Sequence, residues 1–108
     1  MIEIQQYVDR DGRNPFLRWF DKLNDVAQAR IVVGLDRLER GNLSAVKPVG
    51  SGVEELRFDF GPGYRVYFGW DGEELVLLLG GGTKKRQQTD IERAQALWKE
   101  YKQRKKEE

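Results

Sequence analysis

The sequence predicts a small α+β domain: an antiparallel sheet of about four strands, an N-terminal helical hairpin and a C-terminal helix. Three observations carry that reading. Period-two alternation from Val53 to Phe68, interrupted only by Gly61-Pro62-Gly63, marks a β-hairpin. The unbroken apolar run within Glu74–Leu79 marks a further strand covered on both faces, near the sheet centre. Apolar residues at helical spacing before and after these strands, each group bounded by capping residues, complete the order β-α-α-β-β-β-α.

Residues 2–8, Ile-Glu-Ile-Gln-Gln-Tyr-Val, are rich in strand formers and end at the turn Asp9-Arg10-Asp11-Gly12. Asn14 and Pro15 supply an N-cap and a first-turn proline for a helix with Phe16, Leu17, Phe20 and Leu23 on its stripe and Trp19 beside it. Asn24-Asp25 ends that helix and caps a second one, from about Val26 to Arg40, with Ile31, Leu35 and Leu38 at helical spacing. Gly41-Asn42 fits a left-handed C-terminal cap. Residues 42–52, broken by glycines and Pro48, read as a loop that carries Lys47 into solvent.

A three-residue turn at Gly61-Pro62-Gly63 places Phe60 opposite Tyr64, Phe58 opposite Val66 and Leu56 opposite Phe68 on the apolar face. On the other face Asp59 then meets Arg65, and Arg57 meets Tyr67. Taken alone, that charged face is a solvated one with a cross-strand ion pair. Beyond the turn at Trp70-Asp71-Gly72 and the apolar strand, Gly80-Gly81-Gly82 leads into Thr83-Lys84-Lys85-Arg86; the spacing of a phosphate-binding P-loop is missing. Thr89-Asp-Ile-Glu92 matches a capping box for a last helix with Ile91, Ala94, Trp98 and Tyr101 on one face. The charged tail, residues 99–108, is expected to fray, and the helices are expected to pack on one side of the sheet. The cations at 57, 65 and 84–86 lie on adjacent strands or just past their ends, which raises a functional reading of the polar face.

With 108 residues, 39% of them hydrophobic, the chain is long enough for one domain, residues 1–108. It holds neither cysteine nor histidine. Thiolate chemistry and cysteine-based zinc sites are excluded, no metal or cofactor is expected, and acid–base work falls to Lys, Tyr, Asp or Glu. No apolar run reaches membrane-spanning length, so a cytoplasmic protein without membrane contact is expected. The net charge of +1 does not mark a nucleic-acid binder, and any basic patch must come from segregation by the fold.

Along nearly its whole length the chain resembles the HigB-type, phage-derived Gp49-like branch of the RelE/ParE toxins of type II toxin–antitoxin systems. The resemblance rests on Ala29-Arg-Ile31, Leu35-Asp-Arg-Leu38, Lys47-Pro-Val-Gly50, Glu55-Leu-Arg57, Gly61-Pro-Gly-Tyr-Arg-Val-Tyr-Phe68, Leu77-Leu-Leu-Gly-Gly81, Lys84, Gln88, Asp90-Ile91 and Ala94. It implies an addiction-module killer protein: a ribosome-dependent messenger RNA endoribonuclease, an mRNA interferase, neutralised by a cognate helix-turn-helix antitoxin and reaching operator DNA through that complex. In this chemistry a 2′-hydroxyl attacks the adjacent phosphate. By position, Arg65 would clamp the phosphate, Arg57 and Lys84 would add cations or a base, Tyr67 would serve in proton transfer, and Lys47, Lys85 and Arg86 would hold RNA. The chain departs from active relatives in lacking the tyrosine or histidine that they commonly place where Asp90-Ile91 stands. Two other readings stay open: a ParE-like, non-catalytic inhibitor of DNA gyrase, and a non-toxic co-repressor partner.

Overall fold

The structure, a computed structural model describing residues 1–108, begins with a short strand β1, Glu3–Gln6, and two helices, α1, Pro15–Phe20, and α2, Asp25–Glu39. Both helices start where polar side chains can cap them. Asn14 accepts from the Leu17 amide at 3.0 Å and Asn24 from the Ala27 amide at 2.9 Å. The second helix ends on Gly41, φ +90°, with the Gly41 amide donating to the Leu38 carbonyl and the Asn42 amide to the Arg37 carbonyl, a Schellman closure.

Four strands follow: β2, Val46–Gly50; β3, Val53–Arg57; β4, Tyr64–Asp71; and β5, Leu75–Thr83. They form an antiparallel meander, and β1 joins it parallel to β5, giving the order β1-β5-β4-β3-β2. The sheet thus has five strands rather than about four. The extra one, β2, lies in residues 42–52, expected to be a loop. Its proline is compatible with strand because β2 is an edge, where a missing amide donor leaves no ladder bond broken. The β2–β3 turn runs through positive φ at Gly50, Ser51 and Gly52.

The β3–β4 register differs by two residues from the expected one. Leu56 faces Val66, Glu55 faces Tyr67 and Arg57 faces Arg65, so Asp59 lies beyond the ladder and the connection is longer than three residues. A shift of two preserves which side chains share a face, so the apolar and polar faces are as expected.

The polar face is not solvated. After a 3₁₀ turn, Lys84–Arg86, the helix α3, Gln87–Lys106, crosses it, so the helices occupy both sides of the sheet instead of one. Beneath α1 and α2 lies a core of Phe16, Ile31, Leu38, Leu56, Val66, Phe68, Val76 and Leu78. Beneath α3 lies a second core built from Tyr7, Val53, Tyr67, Leu77, Leu79, Ile91, Ala94 and Trp98. A bulge supports this division: Tyr67 pairs with Gly80 but Phe68 with Leu78, leaving Leu79 as an extra residue that stays on the α3 side.

Two further expectations are corrected in α3. It begins at Gln87 rather than near Thr89, with no side-chain cap, so the capping box does not form. Its charged end does not fray. Arg104 donates to the Val8 carbonyl at 2.8 Å, Lys105 pairs with Asp71 at 2.6 Å and Arg10 with Glu107 at 2.8 Å, carrying helix to Lys106. No helix is long and apolar enough to cross a membrane.

Candidate functional site

Strand pairing lays the polar residues of the α3-facing side in two adjacent rows. One runs Lys47, Glu55, Tyr67, Gly80 across β2, β3, β4 and β5; the next runs Arg57, Arg65, Gly82. The centre of this grid is the Glu55 carboxylate, 0% exposed. Its Oε1 accepts from Arg57 Nε at 3.0 Å. Its Oε2 accepts from Gln87 Nε2 at 2.7 Å and stands 3.6 Å from Arg65 Nε. A buried carboxylate is tolerated only where cations and donors surround it, and these three groups do so.

The two arginines are held differently. The Arg57 side chain is 42% exposed and presents its remaining donors outward. Arg65 is 6% exposed; a terminal nitrogen donates to the Gly63 carbonyl at 2.7 Å, while its Nε has no hydrogen-bond partner. The Tyr67 hydroxyl is likewise buried and unpartnered. Burial, and then the nearby charge of Glu55, pushes that phenol well above its ordinary range, so it is protonated at neutral pH.

Of the other residues singled out from the sequence, Lys84, Lys85 and Arg86 are exposed on the 3₁₀ turn. Gly63 and Lys84 are joined by a backbone hydrogen bond, which ties that turn to the start of β4 beside Arg65. Lys47 is exposed on the edge strand, across β3 from Tyr67. The structure therefore gathers Arg57, Arg65 and Lys84 at one end of the sheet and leaves Lys47 further along its edge.

Several residues of the site were not singled out from the sequence. Glu55 read there as one charge in an alternating strand, although its shared parity with Arg57 already placed the two carboxylate and guanidinium groups side by side. Gln87 carried no signal. Asp90 read as a helix-cap residue, yet its carboxylate rests over the bare backbone of Gly82, where an added Cβ would stand 2.0 Å from Oδ2. Burial holds the Asp90 carboxyl above the usual range despite the opposing charges of Arg93 and Arg86. No cluster of carboxylates suited to a metal ion is present.

Comparison with known proteins bears on what this arrangement does. The model of the phage-derived protein Gp49-like family matches residues 18–102. An uncharacterized protein of Haemophilus influenzae is 43% identical over 86 residues, covering 79% of this chain and 87% of its own. A protein of Mycobacterium tuberculosis named Probable endoribonuclease HigB1, found alike in two strains, is 36% identical, covering 82% of this chain and 78% of its own.

Proposed function

The chain belongs to the phage-derived Gp49-like family and is of HigB type, and from that premise we propose that it is a toxin that cleaves messenger RNA on the ribosome and is held inactive by a cognate antitoxin. The observation that carries the reading is the pair of guanidinium groups, Arg57 and Arg65, set side by side on one buried carboxylate and flanked by Lys84, Lys85 and Arg86. Such an array suits a phosphate that gains charge in the transition state. The relative's printed activity supplies the class of reaction.

In that reaction the ribose 2′-oxygen loses its proton and bonds to the adjacent phosphorus. The bond to the 5′-oxygen breaks, and that oxygen takes up a proton. Arg57 and Lys84, both exposed, are placed to meet the non-bridging oxygens. Arg65, buried, stands behind them with its Nε 3.6 Å from the Glu55 carboxylate that also holds Arg57. Tyr67, expected from the sequence to serve in proton transfer, is instead fully buried and protonated beneath α3, where it packs beside Glu55 and does not face the RNA.

The test is expression of variants without antitoxin, with folding checked by thermal melt and translated messages followed by primer extension. Arg57→Ala should stay folded with a lowered thermal midpoint, because the side chain is substantially exposed but its Nε bonds the buried Glu55 carboxylate, which Arg65 and Gln87 still face. It should lower cleavage roughly 10²-fold, the cost of losing one contact that strengthens in the transition state. Arg65→Lys should retain a cation against Glu55 and cleave at an intermediate rate, since an ammonium lacks the planar fork. Folded Arg57→Ala protein cutting at the wild-type rate would remove the assignment.

A further inference from the structure

A cleft of about 620 Å³ opens on the far side of the sheet from β2, where β1 stops short of β5. The last β1–β5 pair is Gln6 with Leu78, followed by a hydrogen bond from the Tyr7 amide to the Leu78 carbonyl. β5 continues to Thr83 with no strand on its β1 side. Over Gly80–Gly82 its main chain is bonded only to β4, because the loop after β1 closes on itself, with the Asp9 amide donating to the Arg13 carbonyl at 2.8 Å. The edge of β5 at Gly80–Gly82 is thus unpaired between α1 and α3, half-buried at Gly80 and Gly81 and buried at Gly82, and an unpaired edge is a template for another strand.

Five cations line this cleft: Arg13, Arg18, Lys22, Arg86 and Arg93. All are exposed, and none takes part in any of the ion pairs within the chain. Of the two carboxylates present, Asp9 is occupied by the Asp11 and Arg13 amides, both at 2.9 Å, and Asp90 rests over Gly82. Nothing stands within 4 Å of where a Gly80 Cβ would point, while the Trp19 ring covers Gly81 and the Asp90 carboxylate covers Gly82, so the faces of this stretch are capped and the strand edge between them is the side left free.

We infer that this cleft is a docking groove for an extended acidic peptide, which adds as a strand to the open edge of β5 while its carboxylates meet the five cations. The edge decides between a peptide and a nucleic acid. A strand edge offers donors and acceptors in alternation, which a peptide backbone satisfies in both senses. A phosphodiester chain brings acceptors and would leave the carbonyls unmet, facing its own charge. The occupant would lie beside Arg86 and over the β5 residues that pair with Arg65 and Tyr67. The inference goes beyond the nuclease reading and stands or falls separately from it.

The experiment is to pan a phage-displayed library of random dodecapeptides against the folded chain, and to follow amide hydrogen exchange with the selected peptide bound. The expected result is enrichment of acidic sequences that slow exchange at Gly80–Gly82. Their affinity should fall about tenfold or more in the Arg18→Ser/Arg93→Ser double variant, with the thermal midpoint nearly unchanged. Enriched peptides that are not acidic, or that bind the double variant equally well, would overturn the inference. So would a 2′-O-methyl oligouridylate that protects the same amides, through the same arginines, where no acidic peptide does.

Discussion

Glu55 governs how substitutions at the site behave. On the expected solvated face, Arg65→Ala would change stability by about 1 kcal/mol or less; with the carboxylate fully buried, the same change removes one of three groups that keep it tolerable. Arg65→Ala should therefore destabilise by on the order of 2–3 kcal/mol, read from a denaturant midpoint, and Glu55→Gln in the same background should recover part of that loss. No recovery would mean that Glu55 is not the group left exposed to the cost. A second residue-level test concerns the seat of Asp90. Gly82→Ala puts a methyl 2.0 Å from Asp90 Oδ2 and only 3.5 Å from its Cβ. The alanine should cost about 1–3 kcal/mol alone and much less beside Asp90→Ala, so a double-mutant cycle should show strong coupling. Additive effects would place Asp90 elsewhere.

At the level of elements, α3 is held at its far end by groups that titrate. The Lys105 ammonium, then the Tyr101 hydroxyl, hold the Asp71 carboxyl below the usual carboxylate range. Burial, then the hydrogen bond to Asp71, pushes the Tyr101 phenol up to about 12. A carboxyl depressed by folding contributes stability that is complete above its unfolded value of ~3.9 and is lost as pH falls through the lower folded one. A phenol raised by folding contributes below ~10 and loses that contribution as pH climbs toward about 12. Amide exchange in the last turns of α3 should accordingly be slowest relative to its intrinsic rate between those limits, and Asp71→Asn should abolish the acid limb. The pinning was hidden in the sequence because each partner is remote: Tyr7, Val8, Arg10 and Asp71 lie far from Arg104, Lys105 and Glu107 along the chain. Helix ends, by contrast, were legible at Asn14, Asn24 and Gly41, whose chemistry is local. The capping box at Thr89 failed because three cations upstream already turn as a 3₁₀ helix and start α3 early. Strand β2 was illegible for a related reason: Pro48 and three residues at positive φ look like loop, and only the partner β3 makes them an edge.

For the whole molecule, the continuous apolar run in β5 already implied a layer on each face, and followed through it would have placed α3 opposite α1 and α2. Two glycines, Gly52 and Gly69, then make that layer fit, since a Cβ on either would stand within 3 Å of Trp98. This arrangement also segregates charge in a chain whose net charge is only +1. Arg57, Lys84, Lys85 and Arg86 are all exposed near one end of the sheet, while Lys105 and Arg10 are paired with Asp71 and Glu107 at the other end of α3. Binding of single-stranded RNA should therefore follow the local array rather than the net charge. If about four phosphates are neutralised, counterion release gives a slope near −3 for log affinity against log salt, from about −0.7 per contact. Anisotropy titrations between 50 and 200 mM salt, with an RNA whose 2′-hydroxyls are methylated to prevent cleavage, would measure it. Lys85→Ser should reduce the slope by about 0.7 and leave folding intact, because the side chain is exposed and makes no ion pair. A slope near zero would show that the cations gathered at that end of the sheet do not meet the RNA backbone.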